Sequence, residues 1–300
     1  MAWDLNGKTV LITGAARGIG AESARKLAER GAKLSLVGFE PDELEKVAAE
    51  CGENAIWFEC DVRDNEALER AVSGTVERFG GVDVVMANAG IASGGVFRFA
   101  DPATWERTID INLVGVTRTV RACLPQVIDR GGYVLVVASL AAVVHGPGMA
   151  NYAAAKAGAE AFADSLRVEL AHHGVDVGVG YFSWIDTEMV AGADRHPALG
   201  FARKKLPGPF GKTYPVSKVG DAVAQGIERR RRRIMVPGWI RALILSRGFL
   251  TPVFEAGGRR HVVEMEERFE RDIAERGREA ASAPVGAGGE AVREGSLDRS

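Results

Sequence analysis

Three cysteines in 300 residues, Cys51, Cys60 and Cys123, are odd in number and lack metal-ligand spacing. They exclude a disulfide framework and read as reduced thiols of a cytoplasmic protein with no metal centre. No run approaches the ~20 apolar residues that a spanning helix needs. The N-terminus, MAWDLNGKTVLITG, lacks the basic-then-apolar order of a signal peptide. Neither sign of charge is in excess, since 38 Lys and Arg face 40 Asp and Glu for a formal net charge of -2. That balance removes the electrostatic case for nucleic acid as the main partner. What is present is 46% hydrophobic residues, in a length that suits one large α/β domain or two ordinary ones.

Short apolar, β-branched runs alternate with amphipathic stretches. Residues 8–13 (KTVLIT) predict a strand, and the glycine cluster Gly14, Gly18, Gly20 leads into a helical pattern. Strand, glycine turn and helix place backbone N–H groups against a phosphate, and glycines permit the close approach. The spacing is G-x-x-x-G-x-G, and an ordinary strand-to-helix turn would look the same. Further strands are expected at 33–37, 55–59, 82–87, 133–138 and 175–181. Such runs, separated by helices, indicate a parallel sheet covered on both faces, with Asp61, Asn88 and Ser139 at strand C-termini where ligands bind.

Tyr152 and Lys156 lie four apart in a helical pattern over 151–172, so they share a face. A phenol beside an ammonium can move protons, because the cation favours phenolate over a phenol whose pKa starts near ~10. Alone, such a pair also reads as a surface contact, and Asn112 reads as a core amide or a kink.

Together these pieces resemble the short-chain dehydrogenase/reductase family: Thr13-Gly14-x-x-x-Gly18-Ile19-Gly20, Asp61-Val62, Asn88-Ala89-Gly90, Asn112, Ser139 and Tyr152-x-x-x-Lys156, in the family's order over roughly residues 5–237. The resemblance implies a doubly wound Rossmann-type domain of about seven parallel strands (residues 1–237) and interconversion of a carbonyl and a secondary alcohol with NADP or NAD. It implies that Tyr152 is the general acid/base and that Lys156 depresses its pKa and holds the nicotinamide ribose. Ser139 would bind the reacting oxygen, and Asn112 a water linking Lys156 to solvent. Gly14, Gly18, Ile19 and Gly20 would line the pyrophosphate, Asp61 and Val62 the adenine, Asn88, Ala89 and Gly90 the ribose floor. Phe39, Ile185 and Thr187 complete the coenzyme set, and a homodimer or homotetramer is expected.

Two departures stand out. Phe182-Ser183 replaces the family's frequent Pro-Gly after the sixth strand, and Gly38-Phe39-Glu40 stands where many NAD-specific relatives carry Asp. Arg17 is placed to meet a 2'-phosphate, whereas Glu40 argues for NAD if it turns toward the ribose; the balance is read as NADP ahead of NAD. A lid is expected over 186–211, and His145, Met149, Phe182, Trp184 and Met189 suggest an apolar pocket for a hydrophobic carbonyl or alcohol. Residues 238–279 read as a helical extension whose segment 239–254 packs on the lid, forms a subunit interface or touches a membrane. Residues 280–300 have the composition of a disordered tail. Two alternatives follow: an inactive dinucleotide sensor on the same scaffold, or a membrane-peripheral reductase of lipid-like substrates.

Overall fold

Val, Ile and Leu dominate the short runs, and these residues suit a pleated backbone with both faces covered. The computed structural model, which describes residues 2–259 and 261–297, forms strands at these runs. In chain order the elements are β1 (Thr9–Thr13), α1 (Gly18–Ala28), β2 (Lys33–Gly38), α2 (Pro41–Cys51), β3 (Ala55–Glu59), α3 (Asn65–Phe79), β4 (Val84–Ala87), α4 (Pro102–Ile109), α5 (Gly115–Asp129), β5 (Tyr133–Val137), α6 (Ala150–Leu170), β6 (Asp176–Phe182), α7 (Glu188–Arg195), α8 (Pro197–Lys204), α9 (Val216–Glu228) and β7 (Arg233–Val236). Beyond the sheet follow α10 (Ile240–Arg259), α11 (Val262–Arg276), α12 (Arg278–Ser282) and α13 (Ala287–Leu297). Among the described residues no helix is long and apolar enough to cross a membrane.

The seven strands are ordered β3-β2-β1-β4-β5-β6-β7 and every pairing is parallel. This is the doubly wound Rossmann-type sheet that the alternation implies, and the strand order reverses between β1 and β4. One face is covered by α3, α5 and α6 through Leu68, Val120 and Ala163. The other is covered by α1, α2 and α9 through Leu27, Leu44 and Val223. Helix starts follow local chemistry: Asp64 and Asp101 cap α3 and α4 by accepting the N–H groups of Ala67 and Thr104. Asn112 lies in a π-helical turn, Asp110–Val114, between α4 and α5, in keeping with the kink the sequence allows.

The C-terminal elements are bound to the sheet domain. Ile240, Leu243 and Ile244 of α10 belong to the core on the α6 side. Arg247 donates to both carboxylate oxygens of Glu160 on α6 at 3.1 and 3.2 Å, and the Tyr181 hydroxyl donates to the same carboxylate at 2.9 Å. Met265 and Phe269 of α11 pack with Ala198 of α8 and Ala281 of α12. The composition of 280–300 predicts disorder, but the described part is helical and attached. His196 Nε2 donates to the Ala281 carbonyl at 2.9 Å, and the Ser282 hydroxyl accepts the Asp101 N–H at 2.9 Å. The reason is that Ala281 and Val285 bury their small side chains completely, with 0% and 9% exposure, against a surface the sequence does not reveal. Residues 298–300 lie outside the described residues.

Glu160 is only 4% exposed, so its charge depends on its partners. Arg247→Ala is expected to lower the unfolding free energy by about 1–2 kcal/mol in urea titrations. Adding Glu160→Gln to that variant should restore most of the loss, because the unpaired buried charge is then gone.

Candidate active site

At the reversal point the ends of β1 and β4 are tied together. Asn88 Nδ2 donates to the carbonyls of Thr13 at 3.0 Å and Gly14 at 3.1 Å. The Thr13 hydroxyl in turn accepts the N–H groups of Asn88 and Ala89 at 3.2 and 3.3 Å. The turn into α1 has no room for side chains: a Cβ on Gly14 (φ 65°) would lie 2.8 Å from Ala89 Cα, and one on Gly20 would lie 2.2 Å from the Gly14 carbonyl oxygen. No side chain caps α1, so its first N–H groups are left for an anion.

A continuous cavity of about 820 Å³ starts at this turn and runs along the strand C-termini. Of the expected coenzyme residues, Gly14, Arg17, Gly18, Ile19, Phe39, Asp61, Val62, Asn88, Ala89, Gly90, Ile185 and Thr187 line it. Gly20 does not; it packs beneath the turn. Ser139, Tyr152 and Lys156 line the middle, and the five expected pocket residues, His145, Met149, Phe182, Trp184 and Met189, line it as well. Ser183 also lines the cavity, and its buried hydroxyl has no hydrogen-bond partner among the described residues. The glycine cradle, the uncapped helix start and this orphaned hydroxyl fit a dinucleotide coenzyme.

Ser139 follows β5, and its Oγ accepts the Ala141 N–H at 3.1 Å. It is hydrogen-bonded to the Tyr152 hydroxyl as well, so the loop between β5 and α6 folds back and unites the two. Lys156 Nζ donates to the Val137 carbonyl at 2.9 Å and stands 5.8 Å from the Tyr152 ring centroid. Burial lowers the Lys156 pKa to about 8. It also raises that of Tyr152, and the Ser139 hydrogen bond opposes this only in part. The sequence predicts that the ammonium lowers the phenol's pKa; here burial sets the net direction, upward, and Lys156 is not among the causes of the shift. Asn112 is fully buried behind Gly90 rather than in the cavity wall. Its Oδ1 accepts the Ile91 N–H at 2.8 Å and its Nδ2 donates to the Ile91 carbonyl at 2.7 Å, which leaves one Nδ2 hydrogen and one Oδ1 lone pair over.

At the far end Arg17 Nε donates to Glu40 at 3.0 Å, and the guanidinium also pairs with Glu188 at the start of α7. Both carboxylates hold the Arg17 pKa above its ordinary value against burial. Arg63 grips the Asp61 carboxylate at 2.7–3.1 Å. The C-terminal elements supply wall residues that the sequence reading missed: Val253, Phe254, His261, Met265, Val285, Gly288, Gly289 and Val292. Only the apolar character of 239–254 pointed that way.

Lys156 carries a linkage consequence. The folded chain releases its proton near pH 8 and the unfolded chain only near its ordinary 10.5, so the unfolded state binds more protons between them. Stability should therefore rise with pH across that window, relative to Lys156→Met, in urea melts at stepped pH.

Comparison with known proteins agrees with this geometry. The short chain dehydrogenase family model matches residues 8–198. The trans-4-hydroxycyclohexanecarboxylate dehydrogenase of Sinomonas cyclohexanicum is 33% identical over 225 residues, which is 72% of this chain and 84% of that protein. The (-)-trans-carveol dehydrogenase of Rhodococcus erythropolis is 38% identical over 204 residues, 62% of this chain and 74% of its own. A short-chain type dehydrogenase/reductase from Mycobacterium marinum superposes with a TM-score of 0.71 at 27% identity, covering 79% of this chain and 96% of that one. The chain belongs to the short-chain dehydrogenase/reductase family and is an NAD(P)-dependent oxidoreductase of alcohols and carbonyls.

Proposed function

We propose that the protein interconverts a hydrophobic, ring-bearing secondary alcohol and its ketone, using NAD. The observation that carries this reading is the hydrogen-bonded Ser139–Tyr152 pair beside Lys156, inside a cavity whose outer part is walled by Met149, Phe182, Met189 and Phe254. Such a wall binds apolar substrate by burial, at roughly 25 cal/mol per Å². The Sinomonas relative is named for a hydroxycyclohexanecarboxylate, a ring-bearing alcohol that also carries a carboxylate, and the Rhodococcus relative for carveol.

Nicotinamide coenzyme supplies the hydride donor or acceptor. Ser139 holds the substrate oxygen, and Tyr152 gives it a proton during reduction or removes one during oxidation. The raised pKa keeps the phenol protonated near neutrality, as an acid requires. Lys156 is held by the Val137 carbonyl, with its Nζ 3.4 Å from where a Cβ on Gly90 would stand, and from there it would hold the coenzyme ribose. Asn112 acts as a strut that fixes the loop after β4 through Ile91. Fit is set by Phe182 and Trp184, with Arg203 stacked 4.6 Å from the Trp184 ring.

The choice of NAD reverses the balance read from the sequence. Arg17 is engaged by Glu40 and Glu188, so this end of the site carries one positive and two negative groups. A 2'-phosphate would meet net negative charge, whereas a 2'-hydroxyl can donate to Glu40.

Tyr152→Phe should lower kcat by about 10³-fold or more while NADH fluorescence titration shows unchanged coenzyme affinity. A variant that keeps its turnover would sink the acid/base role, and a wild type with no turnover on any alcohol or ketone would favour the sensor alternative. Across a panel, cyclic apolar secondary alcohols are expected to exceed small charged hydroxy acids in kcat/KM by about 10-fold or more.

A further inference from the structure

We propose that residues 283–292 are part of the coenzyme site: a strap across its adenosine-ribose end that excludes a 2'-phosphate and slows coenzyme release. The proposal rests on the NAD reading above for the phosphate and on this chain's own contacts for the strap.

The strap is fixed at both flanks. Upstream, Ala281 is bonded to His196, which also accepts the Ala198 and Leu199 N–H groups at the start of α8. Val285 then donates its N–H to the Ala92 carbonyl at 2.8 Å and packs with Ala92, Ala193 and Leu199. At Gly286 the strap backbone lies directly on α7. Its φ is 79°, and an added Cβ would stand 2.7 Å from the Glu188 carbonyl oxygen and 2.8 Å from Met189 Cα. From the other side, a Cβ on Gly192 would stand 2.4 Å from the Gly286 nitrogen. Strap and lid helix therefore touch backbone to backbone and move together.

Beyond this contact the strap passes over the end of β2. A Cβ on Gly288 would reach to 3.7 Å from Arg17 Cδ and 3.8 Å from Glu40 Oε2. Gly288, Gly289 and Val292 line the same cavity as Gly14 and Ile19. An acidic residue at the end of the second strand is where a dinucleotide's adenosine ribose sits. The strap is the roof over that position, and Glu40 with Glu188 places two carboxylates beneath it. A coenzyme bound between the α1 turn and this roof leaves only after the roof lifts.

Two full-length variants test the proposal. Gly286→Val forces the strap off α7, and Gly288→Phe leaves it attached while filling the space over Arg17. Coenzyme binding is read by NADH and NADPH fluorescence titration, release by stopped-flow displacement, and fold by circular dichroism. Gly286→Val should release NADH about tenfold faster and narrow the NADPH-to-NADH Kd ratio about tenfold. Gly288→Phe should weaken NADH binding at least tenfold with no loss of helix signal. Unchanged NADH affinity in a folded Gly288→Phe overturns the placement, and an unchanged release rate in a folded Gly286→Val overturns the roof. If Gly286→Val does not fold, Gly288→Phe decides alone. A wild type that binds NADPH more tightly overturns the NAD reading and the phosphate exclusion, while the release rates still decide the strap.

Discussion

The site depends first on the hydrogen bonds between Asn88 and the Thr13–Gly14 backbone. Between β1 and β4 the chain leaves the sheet in opposite directions, so no crossover helix fills the space above their ends. A crevice that a fold leaves open needs something to set its width. Asn88 does so from one wall and the Thr13 hydroxyl from the other, and Gly14 and Gly20 then let the turn close to backbone contact. The glycine turn, the floor at Gly90 and the residues along β5 are all placed relative to this tie.

Burial does the tuning at the reacting end. It pushes the two titrating groups in opposite directions, Tyr152 up and Lys156 down to about 8, because in each case the charged form is the one penalised. Burial thus favours a neutral phenol and an ammonium that gives up its proton more readily than an exposed one.

Much of this was legible from residue order. The strands at β1 and β5 announce themselves as β-branched runs, and Tyr152 and Lys156 share a helix face by spacing alone. The contact of Ser139 with Tyr152 needed the loop between them, which periodicity does not describe. Asn112 was visible as an anomaly, yet its bonds to Ile91 depend on a π turn that has no sequence period of its own. The sequence sets Arg17 against Glu40 without deciding their geometry; their pairing, and that of Arg17 with Glu188, 171 residues away, is assembled only by the fold. The C-terminal stretch was the largest gap. Gly286 looks like flexible punctuation in the sequence, whereas in the fold the side chains missing there and at Gly192 are what allow two backbones to meet. Small residues signal disorder and tight packing with the same letters.

Helix α7 is held by two contacts of unlike physics. At one end Glu188 reaches Arg17 through a partly exposed ion pair; along its length Ala193 is packed with Leu199 and Val285 out of water. Dissolved ions screen the first in part because it is partly exposed, and they strengthen the second when they are excluded from apolar surface. Cooling weakens the second and leaves the first largely intact. The helix is therefore held differently in brine and in the cold: loosened at its charged end by the one, along its apolar seam by the other.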